Sequence, residues 1–303
     1  MSNENVLASG VTIAGSAPAS EPAAAGFRSE DGTDIGFLTV GSGPAVILIP
    51  GALSTAADYG AFAGYLAQTF TVHTLERRGR GSSGPQGDDY SIVKERADTL
   101  ALQALTGSRF LVGHSFGGLV ALEAARRNTA LDRIAVYEPG VSIDGSIPMS
   151  WMPAYEASLA EGKELDAFVE FVIGVGPDRS RKAPRWLMKL LLPLFIGSDE
   201  RRRRFALLAE NLREHREVGR LDNSYRSYAE IPAGVLLLHG GKSDSRWARL
   251  AIERLAEILP RSETTGFPRL DHFWNRPEGT RRSRPEGQRL LPEMSNGRRH
   301  GTA

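Results

Sequence analysis

The chain has 303 residues, of which 41% are hydrophobic and 24% charged, a composition typical of a globular protein with one large domain or one domain plus an insertion. It contains no cysteine, which excludes disulfides, thiolate catalysis and cysteine-based metal sites. The formal net charge of +1 gives no electrostatic case for a nucleic-acid partner. No apolar run reaches the roughly 18 residues that span a bilayer, and the N-terminus lacks a secretory pattern, so we expect a cytoplasmic protein without a membrane partner.

The N-terminal third begins with a stretch that favours no regular structure. Residues 1–25 are rich in Ala and Ser, and they predict a disordered leader. A hairpin is predicted around Asp31-Gly32, with strands at residues 26–28 and 35–40. Residues 45–49 are continuously apolar, which is typical of a strand buried on both faces of a parallel sheet. That strand leads into the loop Pro50-Gly51-Ala52-Leu53.

The next segment predicts a helix at residues 57–68, a strand at 71–75, and a helix at 91–105 that begins after Ser91. Between the strand and the second helix lies the glycine-rich turn Glu76-Arg77-Arg78-Gly79-Arg80-Gly81-Ser82-Ser83. A phosphate-binding loop is an alternative interpretation of this turn. We disfavour it because no Gly-Lys-Ser/Thr follows and the helix starts late.

The most informative stretch is a strand-turn-helix pattern that contains Gly113-His114-Ser115-Phe116-Gly117. A serine at such a sharp turn projects its hydroxyl, so Ser115 is a candidate nucleophile, although a glycine-rich connection without chemistry has the same appearance. A strand at residues 132–137 follows and ends at Glu138-Pro139-Gly140. Alternating strands and helices of this length predict a parallel sheet.

Residues 141–230 break the alternation and predict only helices, at about 153–165, 165–175, 184–196 and 200–218. Their large apolar residues either form the core of these helices or line a pocket. They are Trp151, Met152, Phe168, Phe171, Trp186, Met188, Leu191 and Phe195. The run Arg201-Arg202-Arg203-Arg204 follows two acidic residues in a helical pattern, which favours a solvated face over a nucleic-acid patch.

The last ordered part predicts a strand at residues 234–238, a helix at 246–259 and a strand at 261–267. Asp244 lies just past the end of the first of these strands, where α/β folds collect functional groups, although an aspartate there also suits a helix N-cap. His272 follows the final strand, and the other five histidines lie at less suitable positions. Residues 276–303 are rich in Pro, Gly and Arg, and they predict an atypical, disordered tail.

These motifs, in this order, resemble those of the α/β-hydrolase superfamily, and Gly113-His114-Ser115-Phe116-Gly117-Gly118 resembles the form in its small bacterial serine hydrolases. The resemblance covers about residues 26–275. It implies an α/β-hydrolase fold with a mostly parallel sheet and helices on both faces, a core of residues 26–140 and 231–275, and a helical cap of residues 141–230. The family normally ends in an amphipathic helix packed on the sheet. Without that helix, Val235 and Leu237 are expected to be exposed.

The resemblance also implies a catalytic triad of Ser115, Asp244 and His272, with Glu138 as the alternative acid. Its oxyanion hole would use the backbone N–H groups of Ala52 and Phe116, although Pro50 stands where the family usually has histidine.

The implied chemistry is acyl-enzyme hydrolysis of a small, largely apolar ester, with no cofactor and no metal. Lactone, thioester or C–C bond hydrolysis and cofactor-free perhydrolysis remain open. So does a non-catalytic ligand-binding protein of the same fold.

Overall fold

The computed structural model describes residues 21–178 and 180–272. Within these residues it contains eight β-strands, nine α-helices and three short 3₁₀ turns. The strands are β1 (Ala23–Arg28), β2 (Asp34–Val40), β3 (Ala45–Ile49), β4 (Thr71–Leu75), β5 (Phe110–His114), β6 (Arg133–Tyr137), β7 (Gly234–Gly240) and β8 (Ser262–Phe267). The helices are α1 (Gly60–Leu66), α2 (Ile92–Thr106), α3 (Phe116–Ala125), α4 (Met152–Ala160), α5 (Glu164–Val175), α6 (Arg185–Phe195), α7 (Ser198–Phe205), α8 (Leu208–Arg220) and α9 (Arg246–Ile258).

The strands form one sheet in the order β1-β2-β4-β3-β5-β6-β7-β8. Strand β2 is antiparallel to both of its neighbours, and all pairs from β4 to β8 are parallel. The predicted mostly parallel sheet is therefore confirmed. Because parallel strands end at the same edge, the segments after β3, β5, β6, β7 and β8 all emerge together there.

Helices cover the sheet on both faces, and the alternation of side chains along β3 shows how. Val46 and Leu48 pack in a cluster with α1, whereas Ile47 and Ile49 pack in a larger cluster with α2, α3 and α9. All four are fully buried, as expected for a central strand with two covered faces.

Only part of the two predicted disordered ends lies within the described residues. Ala23, Ala24 and Ala25 belong to β1 and pair with β2 in register, so the predicted leader is wrong at these three residues. Residues 1–20 and the predicted tail of residues 276–303 lie outside the described residues. The expected exposure of Val235 and Leu237 is also wrong, because both are buried in the cluster that includes α9.

Five helices, α4 to α8, lie between β6 and β7, within the segment predicted as a helical cap. Their own core contains Trp151, Tyr155 and Phe168, and Leu53 from the loop after β3 is part of the same cluster. Trp186 is instead 68% exposed, so it is not part of this core.

The four arginines predicted to lie on a solvated face are in α7. Arg202 pairs with Asp199 and Arg204 pairs with Glu200, each within one helical turn. No helix among the described residues is long and apolar enough to cross a bilayer.

Candidate active site

Ser115 lies at the turn between β5 and α3 with φ 53° and ψ −120°, a conformation that costs energy for any residue with a side chain. The adjoining backbone is crowded. A Cβ at Gly113 would lie 2.4 Å from the carbonyl oxygen of Gly117, and one at Gly117 would lie 2.2 Å from that of Ile49. Strand β6 holds the turn, because Ser115 N–H donates to the Tyr137 carbonyl at 3.0 Å and Gly140 N–H donates to the Ser115 carbonyl at 2.9 Å. Only glycines allow the backbone to approach so closely, which explains the motif.

His272 reaches Ser115 from the segment after β8. Its Nε2 lies 3.2 Å from Ser115 Oγ, which is within reach for a base and its nucleophile. The backbone of this segment is held by two buried side chains, since the Tyr137 hydroxyl donates to the Asp271 carbonyl at 2.9 Å and His114 Nε2 lies 2.9 Å from the His272 carbonyl. The Trp247 indole packs edge-on against the His272 ring, with 5.2 Å between ring centroids.

The carboxylate that meets the imidazole comes from Glu138, immediately after β6. Glu138 Oε2 accepts a hydrogen bond from His272 Nδ1 at 2.7 Å and another from the Ser243 hydroxyl at 2.9 Å, while Oε1 accepts the Gly240 N–H at 2.8 Å. The side chain is almost fully buried. Burial opposes ionisation, but the hydrogen bonds from His272, Gly240 and Ser243 outweigh it and hold the pKa of Glu138 below its usual value. Glu138 is therefore a charged partner for the imidazole at neutral pH.

This geometry corrects the prediction of Asp244 as the triad acid. The proton on His272 Nδ1 is directed at Glu138, whereas Asp244 lies beyond the end of β7 and its backbone carbonyl accepts the Asp178 N–H at 2.8 Å. Strands β6 and β7 are adjacent and parallel, so their C-terminal ends offer two nearby positions for an acid. The carboxylate of Glu138 occupies the space between them, where the Gly240 N–H and the Ser243 hydroxyl supply donors.

The loop after β3 lies directly against the nucleophile. A Cβ at Gly51 would lie 3.3 Å from Ser115 Cβ, which places the Gly51–Ala52 peptide beside the serine. Arg77 Nη1 donates to the Gly51 carbonyl at 3.2 Å. In a trans peptide the C=O and N–H point in opposite directions, so the Ala52 N–H points away from Arg77. Phe116 is the first residue of α3, and its N–H has no intrahelical partner by geometry.

Arg77 is the centre of a buried ionic cluster that sequence reasoning missed. It pairs with Glu95 of α2 at 2.9 Å and with Glu214 of α8 at 2.7 Å, and all three side chains are fully buried. Arg80 pairs with the same Glu214 oxygen at 2.5 Å. Although burial favours the neutral form, the carboxylates of Glu214 and Glu95 hold the pKa of Arg77 well above its usual value. The guanidinium also lies over the Phe116 ring, 4.5 Å from its centroid, so Arg77 contacts both predicted oxyanion elements.

In the glycine-rich turn after β4, the carboxylate of Glu76 at the start of the turn bonds to Ser82 near its end. Glu76 Oε2 accepts hydrogen bonds from the Ser82 N–H and from the Ser82 hydroxyl, both at 2.7 Å. A carboxylate in this position repels a phosphate, so the geometry opposes the alternative interpretation as a phosphate-binding loop. Among the described residues, no group of three or more His, Asp and Glu side chains is arranged to hold a metal ion.

Comparison with known proteins agrees with the fold. A model of the alpha/beta hydrolase family matches residues 46–282. The crystal structure of an alpha/beta hydrolase from Sphaerobacter thermophilus superposes with a TM-score of 0.69 at 31% identity, covering 80% of this chain and 91% of that one.

Two curated relatives carry specific names. N-formylmaleamate deformylase from Pseudomonas putida is 40% identical over 110 residues, which is 35% of this chain and 41% of that relative. 2-(Acetamidomethylene)succinate hydrolase from Mesorhizobium japonicum is 25% identical over 254 residues, which is 80% of this chain and 88% of that relative. The matched region of the deformylase is thus about two fifths of its length. On the family model and the Sphaerobacter structure together, this chain belongs to the alpha/beta hydrolase family.

Proposed function

We propose that the protein is a serine hydrolase that acts through an acyl-enzyme, with Ser115 as nucleophile, His272 as base and Glu138 as the acid that orients the base. The observation that carries the proposal is one continuous set of hydrogen bonds: Ser115 Oγ to His272 Nε2 at 3.2 Å, and His272 Nδ1 to Glu138 Oε2 at 2.7 Å. The charged carboxylate of Glu138 can only accept a hydrogen bond, so the proton of the neutral imidazole lies on Nδ1, and the lone pair of Nε2 faces the Ser115 hydroxyl.

In the first step Ser115 Oγ attacks a carbonyl carbon while His272 Nε2 takes its proton. The resulting imidazolium is stabilised by Glu138, which does not itself take the proton. The N–H groups of Ala52 and Phe116 bind the oxyanion, a contribution of about 3 kcal/mol per donor. His272 then protonates the leaving group, and water releases the acyl group by the same route in reverse. The hydroxyl, the imidazole and the carboxylate supply all the required groups, so this mechanism uses no metal or cofactor.

The proposed substrate is a small, largely apolar ester or a related carbonyl compound. The apolar surroundings of the oxyanion loop support this class, since Leu53 of that loop packs with Trp151 and Phe168 in the apolar cluster of the helical insertion. The alternatives are a lactone, a thioester, a C–C bond next to a ketone, and perhydrolysis.

A second candidate is hydrolysis of an N-acyl compound. It is favoured by the printed names of the two curated relatives, a deformylase and an acetamidomethylene-succinate hydrolase. Both classes react through the same kind of tetrahedral intermediate at Ser115, with an alcohol as the leaving group in one and an amine in the other.

The test is labelling with a fluorophosphonate probe together with turnover of matched p-nitrophenyl esters and N-formyl amides. We expect the wild-type protein to be labelled at Ser115 and to hydrolyse at least one of the two classes. Ser115→Ala, with normal circular dichroism, should lose both labelling and turnover. Wild-type protein that is not labelled and turns over neither class would favour the non-catalytic ligand-binding alternative. Activity that survives Ser115→Ala would remove the serine from the mechanism.

A further inference from the structure

Two buried side chains connect the loop after β3 to the segment that carries His272. The Gly51 N–H donates to the Tyr59 hydroxyl at 2.9 Å, and that hydroxyl lies 2.6 Å from His114 Nδ1. His114 Nε2 lies 2.9 Å from the backbone carbonyl of His272. Tyr59 is 1% exposed and His114 is 5% exposed, so water does not compete for these contacts.

The direction of each hydrogen bond follows from the groups at the two ends. A carbonyl oxygen only accepts, so Nε2 of His114 carries the proton. Burial and the nearby positive charge that His272 can carry hold the pKa of His114 well below its usual value, so the ring is neutral. Its Nδ1 is therefore an acceptor, and the Tyr59 hydroxyl donates to it. The same hydroxyl oxygen accepts from the Gly51 N–H.

We infer that Tyr59 and His114 are positioning residues that hold the oxyanion loop and the catalytic histidine at a set separation. This inference rests on the proposed function. At one end, the bridge fixes the peptide N–H of Gly51, one residue before the Ala52 N–H that binds the oxyanion. At the other end, it fixes the backbone of His272 itself.

The first two residues of the loop after β3 have no polar side chain that could support it. Pro50 is the first residue of this loop, and proline has no N–H and no polar side chain with which to support it. Gly51 has no side chain either. Support for this turn must come from elsewhere in the fold, and the Tyr59 hydroxyl provides it from the turn that precedes α1.

His114 is suited to its place because it directly precedes the nucleophile. Its Cα is fixed at the end of β5, where it pairs with Tyr137 of β6. The bridge is therefore anchored at its middle to the strand that carries Ser115. All three catalytic elements, namely the nucleophile, the base and the oxyanion loop, are tied to one rigid strand end.

The test is Tyr59→Phe, which removes the hydroxyl and leaves the ring. Tyr65→Phe in the neighbouring helix α1 is a matched control, because the Tyr65 hydroxyl is buried without a hydrogen-bond partner in the part of the chain that the structure describes. For the better of the ester or amide substrates, Tyr59→Phe should lower kcat about 10- to 100-fold, with KM within about twofold, because oxyanion binding and base alignment act in the transition state. Tyr65→Phe should change neither constant.

Two further measurements separate positioning from general destabilisation. Inhibition by a boronic acid, which forms a tetrahedral adduct at serine, should weaken in Tyr59→Phe by the same factor as kcat/KM. His114→Leu removes both the acceptor for Tyr59 and the donor to the His272 carbonyl, so the double variant Tyr59→Phe/His114→Leu should be no slower than the slower single variant.

The outcomes distinguish the two proposals. If wild-type protein is active and Ser115→Ala is not, but Tyr59→Phe keeps wild-type kcat and boronate inhibition, the bridge does not position the site and only this inference fails. A lower melting temperature in Tyr59→Phe with unchanged kcat has the same meaning. Independent, multiplying effects of the two single variants would also overturn it. If wild-type protein neither reacts with the fluorophosphonate nor turns over either substrate, the proposed function fails and the positioning role fails with it.

Discussion

Glu138→Gln tests the proposed triad most directly. The carboxylate accepts three hydrogen bonds, from His272 Nδ1, the Ser243 hydroxyl and the Gly240 N–H. Glutamine has a similar shape but only one acceptor oxygen, so its NH₂ group must face at least one of these donors. If the amide oxygen keeps the Gly240 contact, the NH₂ group faces His272 Nδ1. The ring then turns to the tautomer with its proton on Nε2, where it cannot take the proton of Ser115.

The size of the effect follows from what the charge does. Besides the tautomer, the variant loses the negative charge that stabilises the imidazolium in the transition state. Loss of the same two functions in a serine triad lowers kcat by about 10⁴-fold, which is roughly 5 kcal/mol of transition-state stabilisation. Because Glu138 is almost fully buried, little solvent is present to replace the lost charge. We therefore expect a loss of about 10³- to 10⁴-fold in kcat, with KM changed much less.

The assay is steady-state hydrolysis of a p-nitrophenyl ester, with Asp244→Asn as the matched control. Both substitutions replace a carboxylate with an amide after the ends of neighbouring strands, and Glu138 is the residue whose carboxylate accepts from His272 Nδ1 at 2.7 Å. Asp244→Asn should retain kcat within about threefold of wild type, since loss of an acid outside the triad removes no transition-state contact. A larger loss for Asp244→Asn than for Glu138→Gln would refute the assignment and restore Asp244 as the acid.

Three further predictions concern stability, measured as the free energy of unfolding in urea. Arg77→Leu should cost about 3 kcal/mol, because it leaves the buried Glu95 without its cationic partner; an unchanged midpoint would mean that the cluster is not formed. Gly117→Ala should cost about 3 kcal/mol, since its Cβ would press on two backbone carbonyls, whereas Gly64→Ala in open space should stabilise α1 by about 0.5–1 kcal/mol. The pKa of Glu138 lies below its ordinary value of 4.5 in the folded protein, so acid favours the unfolded chain: wild type should lose stability as pH falls below about 4.5, and Glu138→Gln should lose less. Equal slopes in the two proteins would contradict that shift.

The strands and the position of Ser115 could be predicted because their signals are local. A continuously apolar run such as residues 45–49 has one stable environment, between two layers of helices, and the structure places it there. Likewise, the glycines on both sides of Ser115 form a pattern only five residues long, although the contact that requires Gly117 comes from Ile49 of β3. His272 could be predicted for a different reason. The chain has only six histidines, and this one follows the last strand.

The acid could not be predicted with the same certainty. Glu138 and Asp244 both follow strands that end at the same edge of the sheet, and strand order alone allows either to reach the imidazole. The choice depends on distances of a few ångströms, on the φ of 42° at Glu138, and on donors from residues about 100 positions away. None of these leaves a pattern in one sequence. Gly240 and Ser243 become informative only after the partner is known.

The buried cluster around Arg77 could not be predicted from the sequence for the same reason. Its sequence, an Arg-rich turn with glycines, suggests a surface loop, since paired charges are seldom fully buried. Its partners Glu95 and Glu214 lie 18 and 137 residues away, and Glu214 belongs to a helix of the insertion. A fully buried arginine of this kind is identified only when the fold brings its carboxylates together.

The contacts of the loop after β3 connect the proposed catalytic centre to the helical insertion. Arg77 holds the Gly51 carbonyl and is itself held by Glu214 of α8, while Leu53, two residues further along, packs with Trp151 in the core of the insertion. A shift of α8 therefore reaches the Ala52 N–H through two routes, one ionic and one apolar. Since a displacement of about 1 Å at a catalytic donor can cost 100-fold in rate, changes made in the insertion to alter substrate preference will also change kcat unless Glu214 and the packing on Leu53 are kept.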